Sequence, residues 1–303
     1  MVVLSPSVHW LQRYVNDRLT WRLRDLRRRF DRAAASFDSA DFVHAVTREG
    51  LFERLSPLIV DARRILDLGA ATGSAGPQLR KRYAGAQVVS LDISRSMLLE
   101  ARRKRSRFSF ARPLSVQANA SDLPFRDESM DLVFYNLMLP FVDRPESVFE
   151  EVARVLRESG VFAFTTLGPD SLTEISRAWD AIDDYAHVNR FLDMHDIGDA
   201  LVRSGLRDPV LDVDRLSVQY DSPGKLFADL TDVGARNALI QRNRSLMGKG
   251  RFEKMLGVLA GESGDRKITL ELELVYGHCW GAGVRNEPGN ITIDASSIAR
   301  RRR

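Results

Sequence analysis

The chain has 303 residues, 44% of them hydrophobic and 28% charged, with a formal net charge of +4 at pH 7. This composition favours one large globular domain, or one domain with a cap, over a disordered chain, and without a run of about 18 apolar residues we predict no membrane span. The single cysteine, Cys279, excludes an internal disulfide and a cysteine-rich zinc site, and it predicts a reducing, cytoplasmic compartment.

The first 56 residues predict helices with one strongly basic face. Residues 8–30 carry apolar side chains three or four positions apart, as on one side of a helix. Arginines occupy much of the opposite side: Arg13, Arg18, Arg22, Arg24, Arg27, Arg28, Arg29 and Arg32. This basic face is either a solvated surface or a docking surface for an acidic partner. Residues 30–55 predict one or two further helices, and we expect residues 1–56 to cover a cofactor site as a lid.

A short strand, a glycine loop and a helix follow at residues 63–84. The strand is predicted at 63–69 and the helix at 76–84, with Gly69 and Gly73 between them. Glycines let the backbone turn sharply and let a ligand lie close against it. This order is typical of the first unit of a nucleotide-binding α/β domain.

The next strand, predicted at 87–92, ends on Asp92, which lies 19 residues after Gly73. A carboxylate at this place can accept hydrogen bonds from both hydroxyls of a ribose. A pyrophosphate-binding loop needs glycines at its first, third and sixth positions, but Ala71 and Ser74 occupy the third and sixth here. The sequence therefore disfavours a nicotinamide or flavin cofactor.

Strands and helices continue to alternate as far as residue 166. After the strand at 87–92 we predict a helix at 94–104, strands at 114–118, 132–135 and 161–166, and a helix that starts near Pro145. This alternation predicts a parallel sheet with helices on both faces and a ligand site at the carboxyl ends of its strands.

Beyond residue 166 the pattern predicts an antiparallel end to the sheet. Helices are predicted at 170–184 and 194–204, followed by a weak strand at 216–220 and a clear one at 268–276. The two strands are expected to pair, with a helical cap insertion at about 222–264 between them. Residues 57–281 then form the main domain, and residues 282–303 form a polar, basic tail.

The pattern D-x-G-x-x-x-G, with an acid at the end of the next strand, resembles the class I S-adenosyl-L-methionine (AdoMet) methyltransferases. The resemblance implies a Rossmann-like, seven-stranded, mostly parallel sheet with an antiparallel end. It also implies a set of AdoMet-binding residues: Asp67, Gly69, Ala70, Gly73, Asp92, Ile93, Met97, Asn119, Ala120 and Asn136. Asn119 stands where the family often has an Asp that binds the adenine amino group, and Asn136 starts a segment that lies beside the sulfonium.

Several longer motifs are more specific than the glycine loop. They are FDRAAASFDSADF, FTTLGPDSLTEI, HVNRFLDMHDIGDAL, the turn at 234–237 and LELELVYGHCWG. Over about residues 28–281 they resemble the malonyl-carrier-protein O-methyltransferases of biotin synthesis. The resemblance implies methylation of the free carboxyl of a malonyl thioester on an acyl carrier protein, whose acidity suits the basic face.

For the substrate carboxylate we predict Arg190, with His187 beside it, because an arginine fork can hold a carboxylate through two hydrogen bonds. The alternative is that Arg190 forms a surface ion pair and that His187 only packs a helix. Arg236 and Arg242 in the cap are other candidates, and Tyr276 and Trp280 are predicted to be core residues.

The chain departs from the resembled family at Ala71, Asn119 and Phe37, where Gly, Asp and Tyr are expected. A second hypothesis is therefore a protein of the complex I assembly type, which modifies arginine or has lost catalysis. The five histidines are scattered without metal-ligand spacing, so we predict no metal. Aromatic residues do not alternate with the arginines, so we expect no nucleic acid, and we expect a monomer.

Overall fold

The computed structural model describes residues 22–104, 114–189, 191–236, 248–261 and 267–282. Some predicted features lie outside these residues: helix positions 8–21 with Arg13 and Arg18, the candidates Arg190 and Arg242, and the tail beyond residue 282. Within the described ranges, no helix has the length and apolar character needed to cross a membrane. The same ranges hold no group of three or more His, Cys, Asp or Glu side chains able to bind a metal.

In the described part of the chain, three helices precede the sheet, and helices alternate with strands after it begins. The helices are α1 (Leu23–Ala33), α2 (Phe37–Ala40), α3 (Phe42–Arg54), α4 (Ala75–Arg82), α5 (Arg95–Arg103), α6 (Pro145–Val155), α7 (Thr173–Asp180), α8 (Met194–Arg203), α9 (Pro223–Asp232) and α10 (Lys249–Gly261). The strands are β1 (Arg64–Leu68), β2 (Gln87–Asp92), β3 (Leu114–Gln117), β4 (Met130–Asn136), β5 (Leu156–Leu167), β6 (Arg207–Tyr220) and β7 (Ile268–Trp280). A 3₁₀ turn spans Leu139–Phe141.

These seven strands form one sheet in the order β3-β2-β1-β4-β5-β7-β6. Strands β1 to β5 run parallel to one another, whereas β7 runs antiparallel to both β5 and β6. The fold class predicted from the sequence is confirmed. The strand order changes direction between β1 and β4, and α/β sheets bind ligands at such a switch point.

Alternating side chains of β1 show why the sheet is covered on both faces. Leu66 and Leu68 pack into the hydrophobic cluster on one face, and Ile65 packs into the cluster on the other. All three are fully buried. Since burial of such a side chain contributes about 1.5–3 kcal/mol, this run fixes β1 in the centre of the sheet. Tyr276 is buried in the second cluster and Trp280 is partly buried against it, so both contribute to core packing, as predicted.

Strand β6 is much longer than the sequence predicts. The weak alternation predicts residues 216–220, but β6 has 14 residues and pairs with β7 over its length. Its polar residues hide the pattern: Asp212 and Asp214 lie on the exposed edge, where both bind Arg54 of α3 at 2.6 and 2.9 Å. Strand β5 likewise starts at Leu156, earlier than the predicted residue 161.

Two helical segments, the lid (residues 22–54) and the cap (the described residues of 222–264), fold over the carboxyl edge of the sheet. The cap lies between β6 and β7, and its helices α9 and α10 pack with α7 around Trp179, Leu226, Met255 and Leu259. On the other side, the lid helices α1 and α2 pack against the glycine loop through Ala33, Phe37 and Ala71, among other residues. The carboxyl edge of the sheet is therefore covered from both sides.

Candidate active site

A cavity of about 500 Å³ lies at the carboxyl ends of β1, β2 and β4, beneath the lid. Seven of the ten residues predicted to bind AdoMet line it: Gly69, Asp92, Ile93, Met97, Asn119, Ala120 and Asn136. Its volume is within the range of about 300–1,000 Å³ that is usual for small-molecule and cofactor sites. We call this space the cofactor cavity.

The glycine loop contains two glycines in the left-handed region. Gly69 has φ +72 and Gly73 has φ +77. A Cβ on Gly69 would lie 2.5 Å from Sδ of Met138, and one on Gly73 would lie 2.9 Å from Cβ of Ala101. Both positions therefore need glycine for their conformation and for the space around them. The other three predicted residues, Asp67, Ala70 and Gly73, do not line the cavity.

Asp92 is anchored by the backbone around it. Its Oδ2 accepts a hydrogen bond of 2.9 Å from the N–H of Ala71, and its Oδ1 accepts one of 2.7 Å from the N–H of Ser94. Each carboxylate oxygen keeps a further lone pair for a ligand hydroxyl in the cavity. Burial raises the pKa of Asp92 to about 6, although the two backbone hydrogen bonds oppose this rise.

Ala71 has the backbone conformation of a glycine. Its φ is +45, a region that residues with a Cβ rarely adopt, and its N–H points at Asp92. Ala71 packs against the cluster that includes Phe37 of the lid and Met97 of α5, and it also lines the cofactor cavity. The departure from glycine therefore places a small apolar contact between loop and lid.

Asp67 lies behind the loop and is 3% exposed. Its Oδ2 has no hydrogen-bond partner among the described residues. Burial, and then the nearby negative charge of Asp92, raise its pKa to about 7. A buried acceptor without a donor is costly as an anion, which agrees with the raised pKa of this carboxyl.

Asn119 and Asn136 differ in how much of each side chain remains for a ligand. Among the described residues, Asn119 Oδ1 accepts only a long hydrogen bond of 3.3 Å from the N–H of Ser121. Asn136 Nδ2 donates to the carbonyl oxygen of His44 at 3.0 Å, and its Oδ1 accepts from Thr165 Oγ1 at 2.8 Å. Asn136 thus joins the lid to β5, a structural contact that the sequence does not predict.

A second cavity, of about 610 Å³, lies between the lid and the cap. Its wall is mostly apolar, with aromatic rings from Phe42, Trp179, Phe227 and Phe252. Of the residues predicted to hold the substrate carboxylate, His187 and Arg236 line it, and Arg190 and Arg242 lie outside the described residues. We call this space the cap cavity.

His187 is held tightly in the wall of the cap cavity. Its Nε2 lies 2.7 Å from Oδ1 of Asp183, and its ring stacks on Trp179 with the centroids 3.8 Å apart. Arg251 of α10 lies 3.5 Å from the other oxygen of Asp183. This chain of contacts fixes the ring, and it leaves Nδ1 as the nitrogen that a substrate could use.

The sequence does not predict Arg29, His44 or Phe141 as site residues, yet all three line the cap cavity. Leu137, which belongs to the segment expected beside the sulfonium, lines it as well. The sequence pattern places Arg29 on the basic face of a helix, but it is only partly exposed. Leu137 has φ +53, which is strained for a residue with a branched side chain. This strain follows from the fold, and the sequence carries no local signal for it.

The sheet order, the glycine loop and the position of Asp92 together define a class I methyltransferase. A family model described as "Methyltransferase domain" matches residues 66–164. The YcgJ protein from Bacillus subtilis has the same fold, with a TM-score of 0.57 at 16% identity over 77% of this chain and 98% of its own. A SAM-dependent methyltransferase from Thermotoga maritima gives a TM-score of 0.51 at 16% identity, over 84% of this chain and 99% of its own.

The sequence relatives identify the family more narrowly than the fold does. The malonyl-[acyl-carrier protein] O-methyltransferase of Laribacter hongkongensis is 40% identical over 86% of this chain and 90% of its own length. The enzyme of the same name from Halorhodospira halophila is 37% identical over 92% of this chain and 96% of its own length. The chain therefore belongs to the malonyl-[acyl-carrier protein] O-methyltransferase family.

Proposed function

We propose that this chain transfers a methyl group from AdoMet to the free carboxylate of a malonyl group carried by an acyl carrier protein. The product is the methyl ester that serves as a primer for the pimeloyl part of biotin. The observation that carries the proposal is the pair of adjoining cavities, one beside Asp92 and one under the cap, in a chain with relatives of this name. The alternative, an assembly factor or arginine-modifying protein, has no support in these relatives' names.

The cofactor cavity fits AdoMet in its chemistry. Its wall offers the carboxylate of Asp92 for ribose hydroxyls, and the backbone and side chain of residues 119–120 for an adenine edge. The absence of a phosphate in AdoMet agrees with a loop that lacks the pyrophosphate glycines. When bound, AdoMet supplies an electrophilic methyl group on a positively charged sulfur.

The cap cavity suits a thioester that carries one charged end. Its largely apolar wall excludes water, which strengthens attraction between a carboxylate and a cationic sulfur and weakens competition from solvent. No general base is needed, because the attacking carboxylate is already ionised. The chain's main task is then positioning, by His187 Nδ1 and by the predicted arginine, Arg190. Arg236 is the described alternative, but its guanidinium already donates to the carbonyl oxygen of Phe227 at 3.1 Å.

We also propose that the basic face of the lid docks the carrier protein. Five arginines around α1 are exposed: Arg22, Arg24, Arg27, Arg28 and Arg32. They lie on or next to a helix whose other residues line both cavities: Leu26 and Phe30 line the cofactor cavity, and Arg29 lines the cap cavity. Complementary charge speeds association with an acidic partner and orients it. We propose a monomer in the cytoplasm, without nucleic acid as a partner.

The test is transfer of a labelled methyl group from AdoMet to purified malonyl carrier protein. Label should appear on the thioester-bound group and be released as monomethyl malonate by mild base. Acetyl carrier protein is the matched control, since it differs by the carboxylate alone and should accept no label. Tight AdoMet binding without any transfer would defeat the proposal and return the chain to the assembly-factor hypothesis.

A further inference from the structure

The cofactor cavity and the cap cavity adjoin each other at a small junction. Among the described residues, only three line both of them: His44, Leu137 and Phe141. A methyl group that moves from one cavity to the other must pass this junction, so the reacting oxygen of the acceptor must also lie here. Leu137 and Phe141 are apolar, and His44 therefore supplies the polar side chain of this shared wall.

The ring of His44 has an unusual environment for a polar group. Its Nδ1 is buried and has no hydrogen-bond partner within the described ranges. The ring leans against Phe37, with centroids 5.0 Å apart. Since Nδ1 is closed off from water, the part of the ring that lines the cavities is the opposite edge, which carries Nε2.

The backbone of His44 is held more firmly than an ordinary helical residue. Its carbonyl oxygen accepts hydrogen bonds from Asn136 Nδ2 at 3.0 Å and from Thr47 Oγ1 at 3.2 Å. Asn136 is in turn fixed by Thr165 at 2.8 Å. Rigid support of this kind is what a group needs when it must hold a reactant in one orientation.

We propose that His44 positions the reacting carboxylate of the acceptor by donating a hydrogen bond from Nε2 to the oxygen that does not attack the methyl group. This inference rests on the proposed function. A carboxylate at the apolar junction loses water from both oxygens, and an oxygen left without a donor there would be costly. One neutral donor satisfies that oxygen and turns the other towards the cofactor cavity.

The charge state of His44 agrees with this role. Burial lowers its pKa to about 4, and the positive charge of Arg48 on the same helix contributes. The imidazole is therefore neutral at physiological pH, with one N–H and one acceptor nitrogen. A neutral donor orients an anion without protonating it, whereas an imidazolium would form an ion pair and weaken the nucleophile.

The experiment compares His44→Leu with His44→Gln, whose amide nitrogen can reach the place of Nε2. The first readout is the affinity of the enzyme, without AdoMet, for malonyl and acetyl carrier proteins. We expect His44→Leu to weaken malonyl binding about 10-fold and to leave acetyl binding unchanged, while His44→Gln keeps the preference for malonyl within about 3-fold. Val46→Ala, an exposed change on the same helix, should behave as wild type.

The second readout is kcat for malonyl carrier protein, which should fall at least about 10-fold in His44→Leu, with AdoMet affinity within about 2-fold of wild type. Equal loss of malonyl and acetyl binding in His44→Leu, or failure of His44→Gln to restore the preference, would overturn the inference in favour of a packing role. If wild type transfers no methyl group, the proposed function fails, and the binding comparison still decides the role of His44.

Discussion

Asp31 Oδ1 accepts a hydrogen bond of 2.7 Å from Ser94 Oγ and another of 3.1 Å from the N–H of Ser96. Asp31 belongs to the lid, and Ser94 follows Asp92 by two residues, so the lid is attached directly beside the carboxylate that is predicted to bind the ribose. A second contact, from Thr72 Oγ1 to Asp38 Oδ1 at 2.6 Å, joins the lid to the glycine loop. Two carboxylates thus hold the lid closed.

Asp31→Ala should loosen this closure. It removes two hydrogen bonds to a charged acceptor, each worth about 1.5–3 kcal/mol at most and less here because Asp31 is partly exposed. We expect AdoMet affinity, measured by calorimetry, to fall about 5- to 30-fold. Glu49→Ala, the loss of an exposed acid elsewhere on the lid, is the control. Equal affinities for the two variants would contradict a role for Asp31 in closure.

Asp92 should make AdoMet binding depend on pH. Its pKa is raised to about 6 by burial, and only the ionised form accepts hydrogen bonds on both oxygens. Affinity should therefore increase as the pH rises through about 6 and level off above 7. Asp92→Asn should bind AdoMet more weakly and lose this step. A step of the same size in the variant would assign it to another group.

Deprotonation of Asp67 should lower the stability of the folded protein as the pH rises. Its folded pKa of about 7 lies above the ordinary value of 3.8, so the folded state holds the proton more firmly than the unfolded state between those values. Stability from this group is present below about pH 4 and is lost as the pH rises through 7. Urea unfolding at pH 5 and pH 7.5 should show a larger loss for wild type than for Asp67→Asn.

Ala71→Gly should stabilise the loop. Glycine removes the strain of φ +45, worth about 1 kcal/mol, but it also frees the unfolded chain and loses one methyl contact. We expect a gain of up to about 1 kcal/mol in the free energy of unfolding, measured with urea. Ala70→Gly is the matched control: Ala70 is buried and is not among the positive-φ residues, so this change should destabilise. Destabilisation by both changes would show that the methyl contact matters more than the strain.

Arg28→Glu should weaken carrier-protein binding by about 3- to 10-fold at low salt, because it reverses one charge of the proposed docking face. The difference from wild type should shrink as salt is added, since exposed charges are screened beyond about 8 Å at physiological ionic strength. Arg126→Glu makes the same change at an exposed site away from the lid and should have little effect. AdoMet affinity should not change in either variant. Salt-independent binding of the carrier would rule out electrostatic docking.

Local sequence determines the parts of the fold that can be predicted without the structure. Strand β2 is predicted at 87–92 and found at Gln87–Asp92, because its apolar residues are buried and turn residues bound it. Asp92 and Gly69 reach the cavity because the positions of both depend on neighbouring strands alone. The sequence underestimates strand β6 because this strand has an exposed edge, where packing against β7 replaces the hydrophobic alternation.

The site residues that the sequence misses depend on contacts between distant segments. His44 is one polar residue on a helix whose docking on β4 is set by Asn136, 92 positions away. The sequence alone does not distinguish Arg29 from the neighbouring arginines, because the orientation of α1 against the sheet decides which of them faces the cavity. The positions of such residues depend on how the lid, the sheet and the cap pack together. This packing cannot be predicted from any single stretch of the chain.

The lid should couple the binding of the two substrates during turnover, because its three helices line both cavities. A ligand that orders them from one side leaves less conformational entropy to be lost when the other ligand arrives. Coupling of this kind is reciprocal. If bound AdoMet increases the affinity for the thioester by some factor, the bound thioester increases the affinity for AdoMet by the same factor. The two substrates should therefore bind with positive cooperativity. After methyl transfer, the bound demethylated cofactor should slow dissociation of the esterified carrier protein until the lid helices open.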